Sequence, residues 1–116
     1  MLRVTEIFHS IQGESTHAGR PCVFIRLTGC PLRCTWCDTA YAFYGGREMM
    51  QDDVVEQVRG FDCDLVEVTG GEPLSQPAAV PLLTRLCDEG FEVLLETSGA
   101  IDTSGVDRRV HVVLDV

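Results

Sequence analysis

The chain reads as an α/β domain built on a parallel sheet, and three observations lead there. Four short apolar runs rich in Val, Ile, Leu and Phe occupy residues 22–27, 65–68, 91–95 and 110–114. Runs of this length without alternation are the pattern of strands buried on both faces. Two amphipathic stretches lie between the first three runs, and a Gly-rich turn follows the second. Strand, helix, strand, helix, strand in that order implies right-handed crossovers and parallel pairing.

The elements follow in order. Residues 3–8 precede the first core strand and are expected to pair at an edge of the sheet. After the first core strand comes a long loop, then a helix over 52–59, with Asp52 and Asp53 at its positive end and Val54, Val55 and Val58 on one face. The second core strand is followed by a helix over 77–89 carrying Val80, Leu82, Leu83 and Leu86, with Gly90 as its stop signal. Pro81 lacks an N–H, so this helix is expected to begin near Val80 with Pro81 in its first turn. Residues 101–109 are turn-rich, with Thr103, Ser104 and Gly105, before the fourth core strand. The last strand ends the chain with an uncovered edge, which is unusual for a complete parallel-sheet enzyme.

Composition narrows the function. The 116 residues accommodate one domain. Eighteen acidic against nine basic side chains give a net charge of −9, which lacks the electrostatic footprint of a nucleic-acid binder and favours a small-molecule substrate. With no signal segment at Met1 and no apolar run of about 20 residues, no membrane association and a cytoplasmic location are expected. Cys22, Cys63 and Cys87 sit in or beside apolar segments and are expected to be buried core residues.

The other three cysteines carry the chemistry. Cys30, Cys34 and Cys37, in GCPLRCTWCDTAYAF, place three thiolates in one tight loop. A closed structural zinc site needs four ligands, and no second Cys pair follows. A zinc knuckle would have to recruit Asp38, His9 or His17. A four-iron cluster on three thiolates instead leaves one iron open for a small molecule. The spacing C-x3-C-x2-C after the strand CVFIRLTG resembles the cluster loop of the radical S-adenosylmethionine (SAM) superfamily. That resemblance implies a partial (β/α) barrel, truncated here after about four core strands. Proteins sharing these motifs usually continue further, so the resemblance also implies that residues 1–116 are the N-terminal part of a single domain. It also implies a [4Fe-4S] cluster held by Cys30, Cys34 and Cys37, whose open iron chelates SAM and whose electron cleaves it to a 5′-deoxyadenosyl radical.

Further motifs narrow the resemblance to the 7-carboxy-7-deazaguanine synthase family. EIFHSIQGES resembles that family's EIF-x-S-x-QGEG signature, with Ser15 where Gly is usual, and implies substrate contacts from Ile11, Gln12 and Gly13. Arg26 is a charge within an apolar strand, where burial demands a partner. The resemblance supplies one in the carboxylate of 6-carboxy-5,6,7,8-tetrahydropterin; a structural ion pair to Glu6 or Glu14 is the other reading. Thr39, otherwise ordinary turn chemistry, maps onto a Mg²⁺-placing residue, and a lone hydroxyl suits a cation that keeps its waters.

The resemblance implies Trp36, Cys37 and Asp38 as SAM contacts, whereas Tyr41, Phe43 and Tyr44 read as packing of the loop. TGGEP after the second core strand resembles the GGEP motif, with Gly71 against SAM and Thr69 against substrate; a plain strand-to-helix turn is the alternative. Glu96 in ETSG stands at a strand's carboxyl end, where α/β sheets bind ligands. The implied activity is a lyase forming 7-carboxy-7-deazaguanine with loss of ammonia, on the route to queuosine. Its implied partners are the pterin substrate, an electron donor such as flavodoxin or ferredoxin, and a second copy in a homodimer. A glycyl-radical activating enzyme would share the cysteine loop but not QGE or Cys-Asp-Thr, and a non-catalytic metal-binding fragment is the remaining alternative.

Overall fold

The computed structural model describes residues 2–11, 19–28, 47–70, 73–97 and 105–114, and the account below concerns these. They form one six-stranded sheet: β1 (Leu2–Ile11), β2 (Pro21–Leu27), β3 (Arg47–Met49), β4 (Leu65–Gly70), β5 (Glu92–Thr97) and β6 (His111–Leu114). The spatial order is β3-β1-β2-β4-β5-β6. β2, β4, β5 and β6 run parallel, as the apolar runs predict, while β1 is antiparallel to both β2 and β3. β1 is therefore not at the edge. β3 lies outside it, and three residues reading Arg-Glu-Met, two of them exposed, are too short and too polar to announce a strand.

Two α-helices, α1 (Gln51–Arg59) and α2 (Ala79–Asp88), contribute to the main core, and a 3₁₀ turn at Pro73–Ser75 precedes α2. α1 buries Val54, Val55 and Val58, and carries Asp52 and Asp53 in its first turn and Arg59 in its last, in line with the helix dipole. α2 starts at Ala79, so Pro81 falls in the first turn, where its missing N–H costs nothing. The buried side chains of both helices belong to one core cluster with Val23, Ile25 and Leu27 of β2, Val66 and Val68 of β4, and Val93 and Leu95 of β5. Each such buried side chain contributes about 1.5–3 kcal/mol, so this face of the sheet holds the fold together. The helices are also joined to each other by Arg85, which donates to Asp52 Oδ1 at 2.6 Å and Glu89 Oε2 at 2.9 Å, and by the Arg59–Glu89 pair.

The opposite face is different in kind. It carries a small apolar cluster of Cys22, Leu65 and Leu94 with Phe24 packed on it, and polar side chains including Glu6, Arg26, Thr69 and Glu96. The expectation of burial on both faces holds for β4 and for Val93, Leu94 and Leu95 of β5, whereas β2 alternates beyond Phe24 and Arg26 is exposed. Cys22 and Cys87 are buried as expected. Cys63 is only half-buried, because it lies in the turn leading into β4 with its thiol near the carbonyls of Pro21 and Leu65.

Burial pushes the Cys22 thiol up to about 12, helped by the charge of Glu67, and burial also raises Cys87. Neither is a ready thiolate. A raised thiol pKa keeps the native state protonated while the unfolded chain ionises from about 9. The stabilisation is complete below that value and is lost as pH climbs toward about 12. Urea denaturation between pH 8 and 11 should therefore show stability falling more steeply in the parent protein than in Cys22→Ala; parallel slopes would contradict this assignment.

Candidate functional site

The polar face is organised in rows by strand register. Glu6 of β1 pairs with Arg26 of β2, and Arg26 pairs with Thr69 of β4. Val68 is level with Leu95, so the following residues, Thr69 and Glu96, are level as well. The result is a line of Glu6, Arg26, Thr69 and Glu96 across four adjacent strands, at the carboxyl ends of the three parallel ones. That is where an α/β sheet binds its ligand.

Contacts within the row are direct. Arg26 Nη1 lies 3.1 Å from Glu6 Oε1. The Thr69 hydroxyl donates to Glu96 Oε1 at 2.8 Å, tying β4 to β5. Below Arg26, its guanidinium lies 5.5 Å from the centroid of the Phe8 ring, and Phe8 is itself stacked on Phe24 at 5.2 Å. This aromatic platform supports the cation through the ring quadrupole. The Arg26 side chain is 49% exposed, which corrects the expectation of a buried charge. The apolar run around it packs one face of β2 against the helices, while Arg26 belongs to the other face. A ligand is therefore not needed to compensate its desolvation, and the ion pair to Glu6 anticipated from the sequence is formed.

One pleat below the row, Glu67 is 5% exposed, between Phe24 and Leu94 in register. The row and the pleat below it thus gather the carboxylates of Glu6, Glu67 and Glu96 with the Arg26 guanidinium and the Thr69 hydroxyl.

The end of β2 leads directly toward Cys30, and two features hold it. Gly70 has φ +133° and lies level with Leu27; a Cβ there would stand 2.3 Å from the Leu27 carbonyl oxygen. Only glycine fits this close approach. Gln76, just after the 3₁₀ turn, accepts from the Arg3 N–H at 2.9 Å and donates to the Arg3 carbonyl at 2.9 Å and to the Thr28 carbonyl at 3.4 Å. Its amide splices the start of β1 to the residue where β2 ends, and Thr28 N–H closes the junction by donating to the Arg3 carbonyl. Gln76 gave no signal in the sequence because its partners are 73 and 48 residues away.

The structure thus brings Arg26, Thr69 and Glu96 together. Ile11 is the last residue of β1, 57% exposed and paired with Pro21, so it stands at the opposite end of β2 from Arg26. Gln12, Gly13, Cys30, Cys34, Trp36, Cys37, Asp38, Thr39 and Gly71 lie outside the described residues, as do Glu14, His17, Tyr41, Phe43 and Tyr44. Among the described residues no group of three or more His, Cys, Asp or Glu side chains could hold a metal ion. A cavity of about 480 Å³ does occur, lined by His9, Arg20, Phe61, Asp62, Cys63 and Asp64, but it opens where β2 and β4 begin, away from the polar row. No described helix is long and apolar enough to cross a membrane.

The residues fit the implied cofactor by the chemistry of their donors. Three soft thiolates in eight residues suit iron–sulfur ligation.

Comparison with known proteins agrees with this geometry. The family model of the radical SAM superfamily matches residues 24–115. A 7-carboxy-7-deazaguanine synthase from Chlorobaculum tepidum is 50% identical over 115 residues, covering 99% of this chain and 52% of its own. One from Koribacter versatilis is 47% identical over 117 residues, with 99% and 52% covered. The crystal structure of QueE from Escherichia coli superposes with a TM-score of 0.82 at 27% identity, covering 98% of this chain and 59% of that one. The chain spans about half the length of the curated relatives it matches. The matched residues include β4, β5 and the cysteine loop, and on that ground the chain belongs to the radical SAM superfamily.

Proposed function

We propose that this protein is a 7-carboxy-7-deazaguanine synthase, a lyase that converts 6-carboxy-5,6,7,8-tetrahydropterin to 7-carboxy-7-deazaguanine with loss of ammonia, toward queuosine. The observation that carries this reading is the placement of Arg26 and Thr69 side by side at the carboxyl ends of β2 and β4, with Arg26 four residues before Cys30 in the sequence. Relatives of that name at about half identity support it.

The cluster and SAM, when bound, supply a primary carbon radical that abstracts hydrogen from the substrate. Cys30, Cys34 and Cys37 would hold the cluster; Trp36, Asp38 and Gly71 would contact SAM; Thr39 would place Mg²⁺. This chain's described residues bind and orient. Arg26 receives the pterin carboxylate with the donors that Glu6 leaves free. Thr69, fixed by Glu96, presents its hydroxyl oxygen as an acceptor to ring N–H groups, and the Glu96 carboxylate keeps acceptor capacity for the same donor-rich ring. Ile11, Gln12 and Gly13 are substrate contacts on the strength of the family motif alone, since Ile11 stands at the other end of β2 from Arg26. The cluster would need an electron donor such as flavodoxin or ferredoxin, and a homodimer working in the cytoplasm completes the reading. The compartment follows from the need for reduced thiols, and the net charge of −9 favours a small substrate over nucleic acid.

The test is turnover. Anaerobically reconstituted full-length protein, given SAM, Mg²⁺, reductant and the carboxylated pterin, should yield 7-carboxy-7-deazaguanine by mass spectrometry. SAM cleavage with no deazapurine formed would overturn the reading.

A further inference from the structure

We propose that Glu6 is a positioning residue that presets the Arg26 guanidinium to receive a ligand carboxylate. This rests on the function proposed above and assigns a part to a residue outside the substrate and cofactor contacts named there.

The first observation is a β-bulge. Val4 pairs with Leu27, but Glu6 pairs with Arg26, so β1 spends one extra residue, Thr5, between them. Side chains alternate along a strand, and without that insertion the residue after Thr5 would face the helices with Val4. With it, Glu6 turns onto the face of Arg26, and Ile7 takes the helix-side position against the core. A bulge that re-aims one side chain is a recurrent device beside binding sites. Thr5 is itself held, its hydroxyl donating to the Thr28 hydroxyl at 3.2 Å.

The second observation is how Glu6 holds its partner. One guanidinium nitrogen, Nη1, meets one carboxylate oxygen at 3.1 Å, while the ring of Phe8 supports the planar group from below. A bidentate pair would consume the fork; among the described residues this is the one ion pair of Arg26, and it leaves Nε and Nη2 for a second carboxylate. An arginine of this exposure carries several free rotamers, and fixing them before the ligand arrives removes that cost from binding. The expected consequence is selective for ligands that bear a carboxylate.

The experiment uses the full-length, cluster-loaded protein and two ligands, 6-carboxy-5,6,7,8-tetrahydropterin and the same pterin without its carboxylate. Glu6→Ala should raise KM for the carboxylated substrate about tenfold while kcat stays within about twofold, since a uniform binding interaction is lost. The inhibition constant of the carboxylate-free pterin should not move. Glu6→Gln, whose amide oxygen still accepts from Arg26, should fall between parent and Glu6→Ala, and its matching shape keeps the test available if the alanine variant fails to fold. Variants that bind the carboxylated substrate as tightly as the parent, or more tightly, would show Glu6 to be idle or a competitor for Arg26 and would overturn the inference. Equal weakening of both pterins would also overturn it, since that is what general disruption produces. Parent protein that binds neither pterin would overturn the proposed function and this inference with it, a result distinct from failure at Glu6 alone.

Discussion

Gly70→Ala is expected to destabilise the protein by about 3–5 kcal/mol and to abolish iron uptake at ordinary temperature. The methyl group would lie 2.3 Å from the Leu27 carbonyl oxygen, 2.8 Å from its nitrogen and 3.0 Å from its carbonyl carbon. These are backbone atoms of β2, fixed by pairing with β1 on one side and β4 on the other, so no rotamer change relieves the clash. The φ of +133° adds strain that any L-residue would meet. Relief would require β4 to part from β2 where β2 leads toward Cys30. Chemical denaturation measures the stability loss, and iron content after anaerobic reconstitution measures the consequence for the cluster. Parent-like values for both would mean that the ends of β2 and β4 are not locked as described.

The second large effect concerns Arg26. Arg26→Ala should raise KM for the carboxylated pterin by about 100-fold, the order expected when a charged hydrogen-bonding partner is removed, with SAM binding intact. Arg26→Lys should recover only part of this, since a point charge cannot present a planar fork. Stability should change little, because the Arg26–Glu6 pair is about half exposed on both sides and such pairs contribute roughly 0–1 kcal/mol. Steady-state kinetics with a parallel denaturation curve separates the two effects. An unchanged KM would remove Arg26 from substrate binding.

Much of the fold could be read from the sequence because the parallel strands and both helices bury apolar side chains in a regular period. Val54, Val55 and Val58 mark α1 without help from neighbours, and Pro81 locates the start of α2 by the one place a helix tolerates it. What escaped was decided by long-range pairing. β3 is a strand only because β1 offers it an edge, and nothing in Arg-Glu-Met states this locally. Arg26 looked buried because its neighbours are apolar; the alternation of β2 puts it on the face opposite the two described helices, where it is half exposed. The bulge at Thr5, which brings Glu6 to Arg26, is a register property of two strands together and leaves no trace in either alone. The candidate site was legible where motif and strand end coincide, as at Thr69 and Glu96, and illegible at Gln76, whose clamp joins segments distant in the chain.

The central claim is that three thiolates hold an iron cluster with one iron left open to SAM. Electron paramagnetic resonance of the anaerobically reconstituted, dithionite-reduced protein, with iron analysis on the same sample, tests it most directly. The account predicts about four iron atoms per chain and a cluster signal whose g values shift when SAM is added. Zinc in place of iron, or a cluster signal indifferent to SAM, would contradict it.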